Sequence, residues 1–158
     1  MKKIGVGIAV AVALIAIGCK SQAIQSETKP NEMTTQTKPY EVEGEWELIE
    51  IKTRYMTDET LADLFPLKTP FLIVDVKEMM IYGNNGCNVY RGPIKRVDER
   101  ELVLDKRVAS TLKYCSGVKP TVYMQALGEA KEYKIEGDTL LLHSKDQVVY
   151  LKFKKIHN

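Results

Sequence analysis

The chain is poor in the side chains that carry most enzyme chemistry: its 158 residues hold two histidines and three cysteines. His143 falls inside an expected strand and His157 near the last residue, so neither joins the short-spaced cluster of Cys, His or carboxylate ligands that zinc requires. A thiolate nucleophile wants a histidine partner or a helix N-terminus to depress its pKa, and no motif places either histidine beside a cysteine. Ser110 and Ser116 lack the Gly-x-Ser-x-Gly setting of a nucleophile elbow. Gly83-Asn84-Asn85-Gly86 has no Lys-Ser/Thr partner and no following helix, so it reads as a turn and not as a phosphate loop. Acidic residues are scattered, with Asp105 and Asp138 falling at strand ends, and no solenoid or propeller period is visible. These absences predict no catalytic residue, no metal site and no cofactor.

An excess of basic charge is missing as well. Lys and Arg number 23 against 21 Asp and Glu, a net charge of +2. Removing residues 1–18 takes away Lys2 and Lys3 and no acid, which brings the remainder to zero. The other cations are interleaved with acids and offer no stripe for neutralising phosphates, which excludes a nucleic-acid partner.

What is present begins with those two lysines. They precede an apolar run from Ile4 to Ile17, and the run ends in Ile15-Ala16-Ile17-Gly18-Cys19. A basic n-region, an apolar h-region and a small residue before cysteine form a lipoprotein signal peptide with a lipobox. A retained transmembrane helix is the alternative, but residues 4–18 are short against the roughly 20 needed to cross the hydrocarbon core. Cys19 is therefore the expected lipidation site. Each buried CH2 of its acyl chains adds about 0.8 kcal/mol, so two or more chains anchor the protein to the membrane. Lys20 in place of Asp after the cysteine is consistent with export to the outer membrane, and the lack of an acidic run after Cys19 favours its periplasmic face.

Residues 20–39 are polar, with repeated Ser, Thr, Gln and Pro and no aromatic side chain. Such a composition buries too little apolar surface to fold. The lipidated segment 19–40 is thus expected to be a flexible tether with a reach on the order of 25 Å. Residues 41–158 remain, a length suited to one domain with one core.

Period-two patterning dominates that domain and predicts a mainly β (α+β) protein. Trp46 and Leu48 share a face, whereas Ile49 and Ile51 take the opposite phase, as at a bulge or in a strand buried on both sides. Residues 57–65 suit a helical turn before Pro66, capped by Thr57 or Asp58. Strands are expected over residues 71–76 and 78–82, then over 89–97 with an interruption at Gly92-Pro93, then over 101–104. Pro93 belongs at an edge or a bulge, because it has no N–H to donate. Lys119-Pro120-Thr121 opens one short helix carrying Tyr123, Met124 and Leu127 up to Gly128. Strands over 133–135, 139–143 and 148–156 make two closing hairpins.

With Cys19 acylated, Cys87 and Cys115 are left. An even pair in an oxidising envelope compartment reads as a disulfide, contributing roughly 3 to 4 kcal/mol through loop entropy. Two buried, reduced cysteines acting as small hydrophobes are the alternative. Trp46, Tyr82, Tyr90, Tyr114, Tyr123, Tyr133 and Tyr150 would either line a ligand pocket or serve as core and rim packing.

Trp46-Glu47-Leu48, Gly86-Cys87-Asn88-Val89-Tyr90 and Ala109-Ser110-Thr111-Leu112-Lys113-Tyr114-Cys115 together resemble the META domain family, the HslJ-like heat-shock lipoproteins. The segment Tyr123 to Leu127 and the run Tyr133 to Leu142 extend the similarity over residues 41–156. At the helix entrance the family often carries a glutamate, where this chain has Lys119-Pro120-Thr121. The resemblance implies a compact, antiparallel, barrel-like β sheet with one short helix, in envelope proteins tied to heat shock and related stresses. It implies no catalytic residues, and it places Cys87 and Cys115 near each other. Trp46, Gly86, Asn88, Ser110 and Thr111 are its structural motif residues, with the Asn88 side chain satisfying backbone groups at the turn.

The expected function is that of a monomeric, non-enzymatic envelope lipoprotein supporting stress tolerance by binding another envelope protein. A small-molecule or peptide carrier would need an aromatic-lined concavity. An inhibitor of a secreted hydrolase would need a protruding rigid loop, expected near Gly83 to Asn88.

Overall fold

Alternation of inward and outward side chains shapes the first strand. In the computed structural model, which describes residues 40–54 and 59–157, β1 (Gly44–Lys52) buries Trp46, Leu48 and Ile51 while Ile49 faces solvent. The phase change is a bulge: opposite the last strand the register slips between Leu48 and Glu50, leaving Ile49 as the extra residue and returning Ile51 to the core. The signal segment, Cys19 and the expected tether up to Pro39 lie outside the described residues.

A single turn of helix, α1 (Leu61–Leu64), follows. Thr57 and Asp58 lie outside the described residues, and the cap is Thr60, whose hydroxyl accepts from the Asp63 N–H while the Asp63 carboxylate accepts from the Thr60 N–H. This reciprocal capping box satisfies two otherwise orphaned donors.

Next come β2 (Phe71–Asp75), β3 (Met80–Asn84) and β4 (Val89–Val97). The turn expected at Gly83 to Gly86 is displaced to residues 85–88, because Gly83 and Asn84 pair with Leu72 and Phe71 inside the sheet. Glycine is required at 83 by close packing and not by turning. A Cβ there would lie 2.2 Å from the Phe71 carbonyl oxygen and 2.5 Å from the Tyr90 hydroxyl.

Gly92-Pro93 does not interrupt β4 either. It marks an exchange of neighbours: residues before it pair with β6 (Ala109–Ser110), and residues after it pair with β5 (Leu102–Leu104), with a register shift between Ile94 and Arg96. The β6 pairing has no counterpart in the sequence reading. Proline is tolerated at this exchange of neighbours and register shift, where a missing N–H donor disturbs the ladder least, and its carbonyl accepts from the Asp105 N–H at 3.0 Å.

Helix α2 (Pro120–Glu129) starts on proline, continues through Gly128 and buries Tyr123, Ala126 and Leu127. The chain closes with β7 (Glu132–Glu136), β8 (Thr139–His143) and β9 (Tyr150–Lys155). The last strand begins at Tyr150 and not at Val148, since the Ser144 side chain accepts from the Val149 N–H and holds residues 144–149 as a turn.

Among the described residues the nine strands form one antiparallel sheet in the order β5-β4-β3-β2-β1-β9-β8-β7, with β6 against β4. Its two ends meet at a short seam that makes the sheet a nearly closed barrel. There Glu101 bridges Glu132, the Leu102 N–H donates to the Lys131 carbonyl at 3.1 Å, and the Tyr133 N–H donates to the Arg100 carbonyl at 2.7 Å. Trp46, Leu48, Leu72, Ile81, Tyr123, Leu140, Leu151 and Phe153 fill the core. Each contributes on the order of 1.5–3 kcal/mol of burial.

Candidate functional site

One rim of the barrel carries nearly all the sequence motif. The 85–88 turn is built from asparagines folded back on the main chain. Asn84 Oδ1 accepts from the Gly86 N–H at 2.8 Å, and Asn85 Oδ1 accepts from the Cys87 and Asn88 N–H groups at 3.2 and 2.7 Å. Gly86 has φ +93°, which a side chain rarely adopts, and a Cβ there would strike the Phe65 ring at 2.6 Å. Asn84, Asn85 and Asn88 are all buried. The loop expected to protrude at Gly83 to Asn88 is therefore internal.

Asn88 reaches from this turn to the chain beyond β6. Its Oδ1 accepts from the Thr111 hydroxyl at 2.8 Å and the Lys113 N–H at 2.7 Å, and its Nδ2 donates to the Lys113 carbonyl at 3.1 Å. The side chain thus stands in for a strand's peptide group. Ser110 Oγ donates to the Val89 carbonyl at 3.2 Å, and Cys87 is disulfide-bonded to Cys115 with Cα atoms 5.8 Å apart. Gly86, Cys87, Asn88, Ser110, Thr111 and Cys115 form one assembly. Trp46 is apart from it, in the core, where its indole N–H donates to the Val42 carbonyl at 2.9 Å.

This assembly clamps residues 111–115 along its length, and the clamped segment presents apolar side chains to water. Leu112 is 97% exposed and Tyr114 91%. No sequence signal separated Leu112 and Tyr114 from core residues except their position inside the quoted motif. Lys113 between them and Arg91 on β4 are exposed, with no carboxylate partner among the described residues.

The aromatics do not converge on one pocket. Trp46, Tyr90, Tyr123 and Tyr133 are buried, Tyr114 is exposed, and Tyr82 and Tyr150 border separate surface clefts. Tyr90 donates to the Phe71 carbonyl at 3.1 Å, and its hydroxyl lies 2.8 Å from that of Tyr123; burial pushes both phenols well above their ordinary range. A surface cleft of about 720 Å³ near the seam is lined by Tyr40, Arg100, Glu132, Tyr133, His143 and other mostly polar residues. In it His143 Nδ1 lies 3.0 Å from the Ser144 carbonyl and 3.7 Å from Glu132. Among the described residues no group of three or more His, Cys, Asp or Glu side chains is placed to hold a metal ion.

A small, nearly closed antiparallel barrel with a filled interior, two short helices and a disulfide-clamped exposed segment defines a compact β-domain class. The META domain sequence model matches residues 32–156, and the chain belongs to the META domain family. Its fold is similar to that of a DUF4847 family protein from Bacteroides vulgatus, at 15% identity and a TM-score of 0.52 over 74% of this chain and 95% of the other. It is also similar to a protein from Burkholderia xenovorans solved by NMR, at 18% identity and a TM-score of 0.58 over 73% of this chain and 83% of the other. A comparison with curated proteins returns no match.

Proposed function

We propose that this META domain protein is a non-enzymatic lipoprotein of the bacterial envelope, anchored to the outer membrane through Cys19 and facing the periplasm, that supports stress tolerance by binding another envelope protein. The observation that carries the binding role is the exposure of Leu112 and Tyr114 on a segment held by Asn88 and the Cys87–Cys115 bridge. An aromatic and an aliphatic side chain carried on a main chain already held in place spare a partner the cost of ordering that main chain, which is the property of an interface anchor. The lipobox ending at Cys19 supports the location. A carrier would need a concave apolar pocket, whereas the barrel interior here is occupied by side chains.

The same convex, disulfide-held segment favours one second reading, inhibition of a secreted hydrolase by insertion into its cleft.

The test is photo-crosslinking in stressed and unstressed cells, with the crosslinking residue placed at 112 or 114 and, for comparison, at the exposed apolar positions Ile49 and Val148. A discrete protein adduct from 112 and 114, absent from 49 and 148 and lost with Cys19→Ser, is the expected result. Adducts that are absent, or equal from all four positions, overturn the reading. An adduct with a hydrolase whose activity falls on binding moves the second reading forward.

A further inference from the structure

Resting on the binding role above, we infer that the clamped segment receives its partner as an added β-strand, and that the partner is an extended peptide segment alternating apolar and acidic residues. The first support is the direction of the peptide groups. The Thr111 N–H donates to the Val89 carbonyl and the Lys113 N–H to Asn88 Oδ1, so both point at β4. Alternation turns the amides of Leu112 and Tyr114 the other way, and neither is hydrogen-bonded among the described residues. β6, which leads into this segment, pairs with β4 alone. Met124 and Leu127 of α2 stand beside Val108, but farther along Leu112 and Tyr114 have no cover. Residues 111–115 continue β6 without being a strand themselves, but the inward bonds of Thr111 and Lys113 fix one side and leave the remaining main-chain donors and acceptors facing outward, the arrangement that strand addition requires.

The second support is charge. Lys113 projects from the face opposite Leu112 and Tyr114. Arg91, directly across from Ala109 two positions back along the alternation, shares that face. Neither cation has a carboxylate partner among the described residues. Pairing of this edge with a second copy of itself, antiparallel about its centre, would set Lys113 against Lys113, and like charges directly opposite are destabilising. An acidic side chain in a foreign strand meets Lys113 and reaches toward Arg91 over the small Ala109, while its apolar neighbours cover Leu112 and Tyr114. Natural proteins blunt open edges with lysine; here the lysine also selects what pairs.

The experiment uses the full lipidated chain in nanodiscs and two probes, the blocked peptide Thr-Val-Glu-Val-Glu-Val-Thr and its counterpart with Lys in place of Glu. The expected result is slowed hydrogen exchange at the Leu112 and Tyr114 amides with the acidic probe. Its binding should be about fivefold tighter than that of the lysine probe, the effect of two exposed charge contacts, and should weaken with salt. Leu112→Pro removes one outward donor and abolishes binding, and the double variant Arg91→Glu, Lys113→Glu reverses the preference between probes without depending on how the proline variant folds. Unchanged exchange at both amides with either probe overturns strand addition. If photo-crosslinks at 112 and 114 persist in that case, the binding role stands and only its mode falls; if they are absent too, both fall. Equal affinity for the two probes overturns the acidic specificity.

Discussion

Tyr90 and Tyr123 make a pair in which the two hydroxyls do different work. Tyr90 gives its proton to the Phe71 carbonyl, so Tyr123 is the donor between the rings and Tyr90 the acceptor. Tyr123→Phe leaves Tyr90 still bonded to Phe71 and should cost about 1 kcal/mol or less, whereas Tyr90→Phe removes the bond to Phe71 and leaves the buried Tyr123 hydroxyl without its acceptor, and should cost about 1–3 kcal/mol. Denaturant unfolding of the two variants measures the difference, and equal costs would mean that the pair has no such asymmetry. Burial raises both phenols, so the folded chain keeps protons that the unfolded chain releases. Their contribution is complete below about pH 10 and is lost as pH rises beyond it. Both single variants should therefore flatten the alkaline limb of the stability curve. Neither role can be read from the sequence, where a tyrosine at an alternating position signifies core, rim or pocket equally.

Elements were legible where period two is strong and hidden where pairing is made at a distance. Trp46, Leu48 and Ile51 mark β1 in the sequence, and their phase slip fits either a bulge or a strand buried on both sides; the register against β9 decides for the bulge. β6 did not announce itself, since two residues carry no periodicity and Ala109-Ser110 become a strand only against Tyr90 and Arg91. Gly83 and Asn84 have turn composition but strand geometry, a local preference overridden by the Tyr90 ring packed on Gly83. In the clamp, Cys87, Asn88, Ser110 and Thr111 were found through their motif. The burial of Asn84 and Asn85 was not, because an asparagine spent on internal hydrogen bonds looks the same in sequence as one in water.

The clamp's two fasteners differ in how they act. Replacing both cysteines by serine loosens the unfolded chain by about 3–4 kcal/mol in the loop-entropy account, yet Asn88 still holds Lys113. Asn88→Ala leaves the bridge but strands the Lys113 N–H and carbonyl at a cost of about 2 kcal/mol. The double cysteine variant should lose more global stability, while Asn88→Ala should give the larger rise in exchange at Lys113. Thermal unfolding and amide exchange measure the two, and a rise at Lys113 confined to the cysteine variant would assign the clamp to the disulfide.

Across the whole molecule, stability toward acid rests on carboxylates held ionised by local bonds. The Ser144 hydroxyl and then Arg54 hold Asp146 down to about 2, and main-chain or side-chain donors likewise lower Asp63, Asp98 and Asp105. A group favoured in its ionised form contributes fully above its unfolded value, near 3.8, and loses that contribution as pH falls toward about 2. Thermal unfolding should show a melting temperature nearly constant from pH 7 to about 5 and falling below about 4. Asp146→Asn should melt lower at pH 7 and fall less steeply in acid, and an unchanged acid slope would remove Asp146 from the account. Arg54 joins Asp146 at 2.6 Å to Glu129 at 3.1 Å, tying the turn before β9 to the end of α2.

The partnership of β1 with β9 governs how the chain can be made. In the sheet these strands are neighbours, Trp46 opposite Lys155, but among the described residues they are the first and last strands to leave the ribosome. The strand bearing the main core residues waits through the whole of synthesis with one side bare. No partial product can close the barrel, so folding of the domain is completed only once β9 is free to pair with β1.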